Sequence, residues 1–260
     1  MLYFKGKNKK REVIFNLWYL GSKSRLSKEL VPIIQSYINE DIVGYLEPFV
    51  GGANVIDKIE HHNKIGYDIH PQLIALLKKA RDDYESLPDI LDEKDYIEVK
   101  NNKEKYEDWE VGLYGFCATF GAKYFGGYAR AKEEKYAGQR TESALKNLKV
   151  QAPNLKNVTL ANYNFLDIPT DKLKGYVIYC DIPYRNTTAY KTEKFPYEDF
   201  YDWVKKLSIH NTVLISEYTM PEEFECIWEK KSYTGIDTNR KQSENDSKYV
   251  RVEKLFQYKG

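Results

Sequence analysis

The sequence predicts an α/β fold with a mainly parallel sheet, closed by an antiparallel hairpin. Three observations carry that expectation. Short apolar runs at 42–47, 64–67, 158–161, 176–180 and 212–217 have the length and side-chain type of strands. Stretches of helical period separate several of them, as expected of β–α units joined into parallel strands. Two longer runs, 224–233 and 249–258, flank a polar loop at 235–248 and read as a closing hairpin.

Leu26, Leu30, Ile33, Ile34 and Ile38 recur at helical spacing and predict a first helix over 24–39. The first strand, 42–47, runs into Pro48-Phe49-Val50-Gly51-Gly52, and a second helix is expected over 53–61. Strand 64–67 is closed by Asp68. Pro71 then opens a helix to residue 84, since proline suits the first helical position. From 85 to 153 the alternation stops. This stretch is charged, aromatic and punctuated by glycine, and reads as an inserted, mostly helical lobe on a main domain made of 1–84 and 154–260. Strands and a helix over 197–207 then complete the sheet.

Composition narrows the function classes. A chain of 260 residues holds one α/β domain and a lobe. It has no run of 18 apolar residues, so no membrane partner is expected. Met1 to Arg11 is basic without an apolar core behind it, which argues against a secretory signal. Cys117, Cys180 and Cys226 are far apart, which suits a reducing cytoplasm better than a disulfide framework. His61, His62, His70 and His210 lack ligand spacing, so no metal is expected. The net charge of +1 neither demands nor excludes a polyanion. The 23 tyrosines, many interleaved with Lys and Arg, suit nucleic acid, although many must simply fill core and sheet.

Three segments carry chemistry. Asp181-Ile182-Pro183-Tyr184 ends the strand at 176–180, at the sheet edge where open α/β folds bind ligands. Asp181 and the Ile182 carbonyl could accept both N–H bonds of a planar amine, with Tyr184 stacked on its face. The bland explanation is a turn after a strand. Glu47-Pro48-Phe49-Val50-Gly51-Gly52-Ala53 lets a ligand approach the backbone closely. Asp68 closes the next strand, where an acid commonly holds ribose hydroxyls; its bland explanation is a helix cap. There is no Gly-x-Gly-x-x-Gly and no phosphate loop, since Gly21-Ser22-Lys23-Ser24 lacks the preceding glycine. A dinucleotide or ATP is therefore less expected than another adenosine cofactor.

With these segments in order, the chain resembles the Dam-type (D12 class) DNA N6-adenine methyltransferases. Tyr19-Leu20-Gly21-Ser22-Lys23, Asn162-Tyr163-Asn164-Phe165, Ile215-Ser216-Glu217-Tyr218 and Glu253-Lys254-Leu255-Phe256 extend the likeness over nearly the whole chain. The resemblance implies a Rossmann-like, S-adenosylmethionine-dependent methyltransferase without a metal. It places Tyr19 and Lys23 near the cofactor, and Glu47, Pro48, Phe49, Gly51 and Gly52 beneath it. Asp68 would hold its ribose, Asn164 and Phe165 would flank its adenine, and Asp181 would lie beside it. Asp181, Ile182, Pro183 and Tyr184 would receive an everted adenine of double-stranded DNA. The lobe at 85–153 and the loop at 235–248 would face DNA, with Lys123, Arg130, Arg140, Arg240 and Lys241 as candidate contacts. A cognate restriction endonuclease is a further partner that the resemblance allows.

Three positions depart from the family pattern. Tyr19 stands for tryptophan, Asn164 for aspartate, and Ile182 for the first of two prolines; Ile182 loses φ restriction but keeps its carbonyl. The same fold could serve RNA adenine, cytosine N4 or a protein glutamine amide, or an inactive nucleic-acid-binding protein. Asp181 favours adenine over cytosine, the large insert favours duplex DNA over a peptide, and intact Asp181, Pro183 and Tyr184 favour an active enzyme.

Overall fold

The computed structural model describes Lys23 and residues 26–130, 138–184, 195–233 and 250–260. Tyr19, Arg240 and Lys241 lie outside the described residues, as does the loop expected at 235–248. Seven strands form one sheet: β1 (Gly44–Glu47), β2 (Lys64–Asp68), β3 (Val158–Asn162), β4 (Tyr176–Asp181), β5 (Thr212–Glu217), β6 (Phe224–Tyr233) and β7 (Val250–Tyr258). Their order is β3-β2-β1-β4-β5-β7-β6. The first five run parallel; β7 is antiparallel to both β5 and β6. This is a Rossmann-like architecture, and the antiparallel closing pair stands where the sequence placed it.

The strand order fixes where a ligand can sit. Succession runs outward from β1 through β2 to β3, then reverses to the other side through β4 and β5. The chain therefore parts between β1 and β4, leaving a crevice beyond their C-terminal ends. Glu47 ends β1, Asp68 ends β2 and Asp181 ends β4. Three acids thus converge on one edge.

Both sheet faces are covered, which is why β4 reads as a continuous apolar run. Its Val177 and Tyr179 join the apolar cluster on one face, Ile178 and Cys180 the cluster on the other. Helices α1 (Ser27–Gln35) and α2 (Pro71–Asp83) feed the first cluster through Leu30, Ile34, Leu73 and Leu77. Within the insert lie α3 (Glu93–Asn101), α4 (Asp108–Gly112) and α5 (Gln139–Gln151). Their Tyr96, Val99, Val111, Leu145 and Leu148 belong to that same cluster, so the insert shares the core of the sheet. Contact is close at Gly112, where an added Cβ would lie 2.2 Å from the Gln72 carbonyl oxygen on α2. Helix α6 (Tyr197–Ser208) covers the opposite face with Phe200, Trp203, Val204 and Leu207. None of the described helices is long and apolar enough to cross a membrane.

One expected element is absent. The helix anticipated over 53–61 is replaced by a single 3-10 turn, Ile56–Lys58. Gly51 and Ala53 take positive φ values of 49° and 56°, so the chain enters a left-handed turn there instead of a helix. Val55, Ile56 and Ile59 have helical spacing, but they are buried from an irregular segment. The first helix is also shorter than 24–39, ending regularly at Gln35.

Candidate functional site

The crevice has two halves. On the β1–β2 side, Asp68 is buried and its carboxylate is held by backbone. Its Oδ2 accepts from the Gly51 N–H at 3.1 Å and its Oδ1 from the His70 N–H at 2.9 Å. Burial raises the Asp68 pKa, while the N–H groups of His70, Gly51 and Ile69 pull it back. The left-handed glycine of the 47–53 segment is thereby fastened to the end of the neighbouring strand. The Asp68 carbonyl oxygen also accepts from the Asn162 side chain and the Tyr163 N–H. Beside it, Ile69 is 68 % exposed, a large apolar side chain next to a buried acid.

Glu47 is buried and accepts from the Tyr45 hydroxyl at 2.7 Å. Burial pushes its pKa well up, and the carboxylates of Asp57 and Asp181 add to the push against the hydrogen bond from Tyr45. Phe49 and Phe165 meet at 5.3 Å between ring centroids, and Phe165 also packs against Trp203 at 5.4 Å. Phe165 is thus largely a core ring. Asn164 caps the 3-10 turn Phe165–Asp167, its Oδ1 accepting from the Leu166 N–H at 3.0 Å.

On the β4 side, Asp181 is 22 % exposed and paired with Lys23, whose ammonium lies 2.9 Å from Oδ1. Lys23 also donates to the Tyr184 hydroxyl and stands 4.2 Å from the centre of the Tyr184 ring. The Tyr184 hydroxyl donates in turn to Glu253 at 3.0 Å, and Glu253 lies 3.7 Å from Lys23. The Tyr218 ring meets that of Tyr184 edge-on at 4.5 Å. Burial works against the Lys23 charge, but Asp181 and Glu253 outweigh it and its pKa is raised. Burial also raises the pKa of Asp181, with Lys23 as the chief opposing influence. Ile182 is buried in the second apolar cluster, and the Pro183 carbonyl accepts from the Tyr197 hydroxyl at 2.7 Å. Apolar anchoring thus stands where a second proline would have stiffened the segment.

The structure brings Lys23, Glu47, Asp68, Asp181 and Tyr184 to one sheet edge. Of the candidate DNA contacts, the described ones, Lys123, Arg130 and Arg140, belong to the insert. There Arg140 stacks its guanidinium 5.2 Å from the Phe120 ring, and Phe120 is 61 % exposed. Arg130 is paired with Glu93. Lys123 is exposed. Sequence reasoning missed Glu253, Tyr218 and Tyr197 as site residues. The first two fall in segments noted for their resemblance, but only strand pairing brings them to Asp181, Tyr218 through β4 with β5 and Glu253 through β5 with β7.

Comparison with known proteins places the chain in a family. A family model described as D12 class N6 adenine-specific DNA methyltransferase matches residues 19–242, most of the chain. No curated protein matches. Among solved structures, TrmN from Thermus thermophilus is similar at 9% identity and a TM-score of 0.39, over 90% of this chain and 48% of that one. SMU.472, described as a methyltransferase and solved with SAH, is similar at 14% identity and a TM-score of 0.38, over 92% of this chain and 52% of its own. The chain thus spans about half the length of these structures.

Proposed function

Because the chain belongs to the D12 class of N6 adenine-specific DNA methyltransferases, we propose that it methylates N6 of an everted adenine at specific sites in duplex DNA. Membership makes it an S-adenosylmethionine-dependent methyltransferase; the acceptor, the residues and the order of events are our reading.

The residues present fit that cofactor. Asp68 keeps lone pairs beyond its two backbone bonds, suited to ribose hydroxyls. The buried His70 Nδ1 lacks a hydrogen-bond partner among the described residues, two positions further on. Exposed Ile69 offers an apolar surface to the adenine ring, and Asn164 would contribute its amide nitrogen, its oxygen being spent on the cap. The acids around Lys23 already accommodate one positive charge. When bound, the cofactor supplies a methyl group made electrophilic by a positively charged sulfur.

The chain's own task is alignment and electrostatics. The adenine amine is a poor nucleophile because its lone pair is delocalised into the ring. Asp181 would accept one amino hydrogen and the Ile182 carbonyl the other, drawing the nitrogen toward a tetrahedral geometry. The Lys23–Asp181 pair carries this reading. It is an N–H donor seated on the carboxylate, over the ring of Tyr184, in the chemical position a target amine would take. The incoming amine would displace Lys23. Asp181 then loses the neighbour that lowers its pKa and becomes a better acceptor for the proton that N6 must release. Everting the base costs a few kcal/mol, and stacking on Tyr184 offsets about 1–3 kcal/mol of that.

For the duplex, the reading is supported by the cation–aromatic surface of the insert, Arg140 on exposed Phe120 with Lys123 nearby in sequence. Phosphate contact by these cations makes affinity fall steeply with salt, and each lost contact lowers the salt slope by about one. Tritiated methyl transfer onto duplex DNA, RNA and protein in parallel tests the assignment. Label recovered as N6-methyladenine in duplex DNA is the expected result; label in RNA, in protein or on cytosine would refute it.

A further inference from the structure

We infer that Gln151 is a positioning residue that clamps the cofactor loop, acting from the last residue of the insert's final helix. Gln151 is fully buried, and its Nε2 donates to two successive carbonyl oxygens, those of Gly52 and Ala53, at 2.9 Å each. These carbonyls belong to the left-handed turn that replaces the expected helix. Ala53 is fully buried and, without being glycine, takes a φ of 56°. Such a conformation persists only where the surroundings over-determine it. Two fixed peptide groups, with the Gly51 N–H held by Asp68, determine it here.

The amide answers a local need. Buried carbonyls left without donors carry a large penalty, and the irregular turn cannot supply donors from its own ladder. A donor with two hydrogens on one nitrogen, at the end of a three-bond side chain, satisfies both at once. Its origin gives the contact a second consequence. Gln151 closes α5, and Arg140 lies in the first turn of that helix. The loop beneath the cofactor is therefore fastened to the helix that also reaches toward the proposed DNA-facing surface.

The inference rests on residues 47–52 forming the cofactor floor, so the test separates the two. S-adenosylhomocysteine binding to the full chain, without DNA, is measured by titration calorimetry for wild type, Gln151→Leu, Gln151→Glu, Leu148→Ala and Asp68→Ala. Leu148, buried on the same helix, serves as a control for general loosening of the core. Gln151→Leu should weaken binding about tenfold or more, from loss of two buried hydrogen bonds. Leu148→Ala should stay within about twofold of wild type, because it removes packing and neither hydrogen bond to the loop.

Gln151→Glu gives a sharper signature. A protonated carboxyl donates one hydrogen and a carboxylate none; burial and the Asp57 carboxylate, which the Gln151 side chain also reaches, favour the protonated form against Lys58 and Lys64, the cations beside Asp57. Its affinity relative to wild type should therefore recover as the pH falls from about 8 to about 6. This profile decides the matter alone if Gln151→Leu does not fold. A flat profile, unchanged affinity in Gln151→Leu, or equal losses in Leu148→Ala would overturn the clamp. If Asp68→Ala keeps wild-type affinity, the cofactor reading fails and the clamp with it. If Asp68→Ala loses affinity and Gln151→Leu does not, the clamp alone fails.

Discussion

Asp68 and Asp181 end parallel strands on the same edge of one sheet, yet they are held in opposite ways. Asp68 is gripped by two backbone N–H groups whose positions the fold dictates. Asp181 is held by the tip of Lys23, a side chain with four rotatable bonds. A backbone grip persists when a ligand arrives. A side-chain grip can be exchanged for another donor at modest cost. On the proposed function, one crevice would combine a fixed acid for binding with an exchangeable acid for turnover, and the adjacent strands β1 and β4 hold the two halves in register.

The largest effect expected from this contrast is at Asp181. Asp181→Ala should lower methyl transfer by about 100- to 1000-fold or more while S-adenosylhomocysteine still binds, because it removes a group aimed at developing charge. A variant with near-normal turnover would erase the contrast. Asp68→Ala should do the reverse, weakening S-adenosylhomocysteine about 10- to 100-fold in calorimetry through loss of charge-assisted bonds.

Lys23→Met sharpens the comparison from the other side. Lys23 lowers the Asp181 pKa against burial, so its removal lets that pKa rise. Asp181 must be ionised to accept the amine, and activity is lost as the pH falls through its pKa. The acid limb of kcat/KM should therefore move to higher pH in Lys23→Met, since that profile reports the free enzyme. An unmoved limb would mean that the pair is ornamental.

The smallest effect belongs to Glu47, whose buried carboxyl has a pKa well above its ordinary value of 4.5. The folded chain binds this proton more tightly than the unfolded one, so its stabilising share is greatest at low pH. That share is lost as the pH climbs from 4.5 through the raised value. Glu47→Gln keeps an acceptor for Tyr45 and cannot ionise. Its Tm should gain on that of wild type between about pH 5 and about pH 8, and thermal unfolding across that range checks it.

Much of this was legible in the sequence, for physical reasons. Parallel strands buried on both faces are apolar runs, so the acids at their ends stand out; Asp68 and Asp181 are visible in that way. The segment 53–61 reads as a helix because Val55, Ile56 and Ile59 are spaced as on one. Their burial comes from tertiary packing around a left-handed backbone that periodicity does not encode. Helix α3 was not resolved within the charged insert, since only Tyr96 and Val99 on it are buried. Glu253 and Gln151 escaped for a different reason. Each acts on a segment distant in the chain, reached through strand pairing in one case and helix packing in the other.

The exchange at Asp181 is tested most directly by the side-chain nitrogen resonance of Lys23, followed by NMR in three states: alone, with S-adenosylhomocysteine, and with S-adenosylhomocysteine plus duplex DNA carrying the methylated site. A bonded, slowly exchanging ammonium in the first state that becomes solvent-exchanging in the third is the result expected here. A Lys23 signal unchanged in the ternary complex would contradict the account.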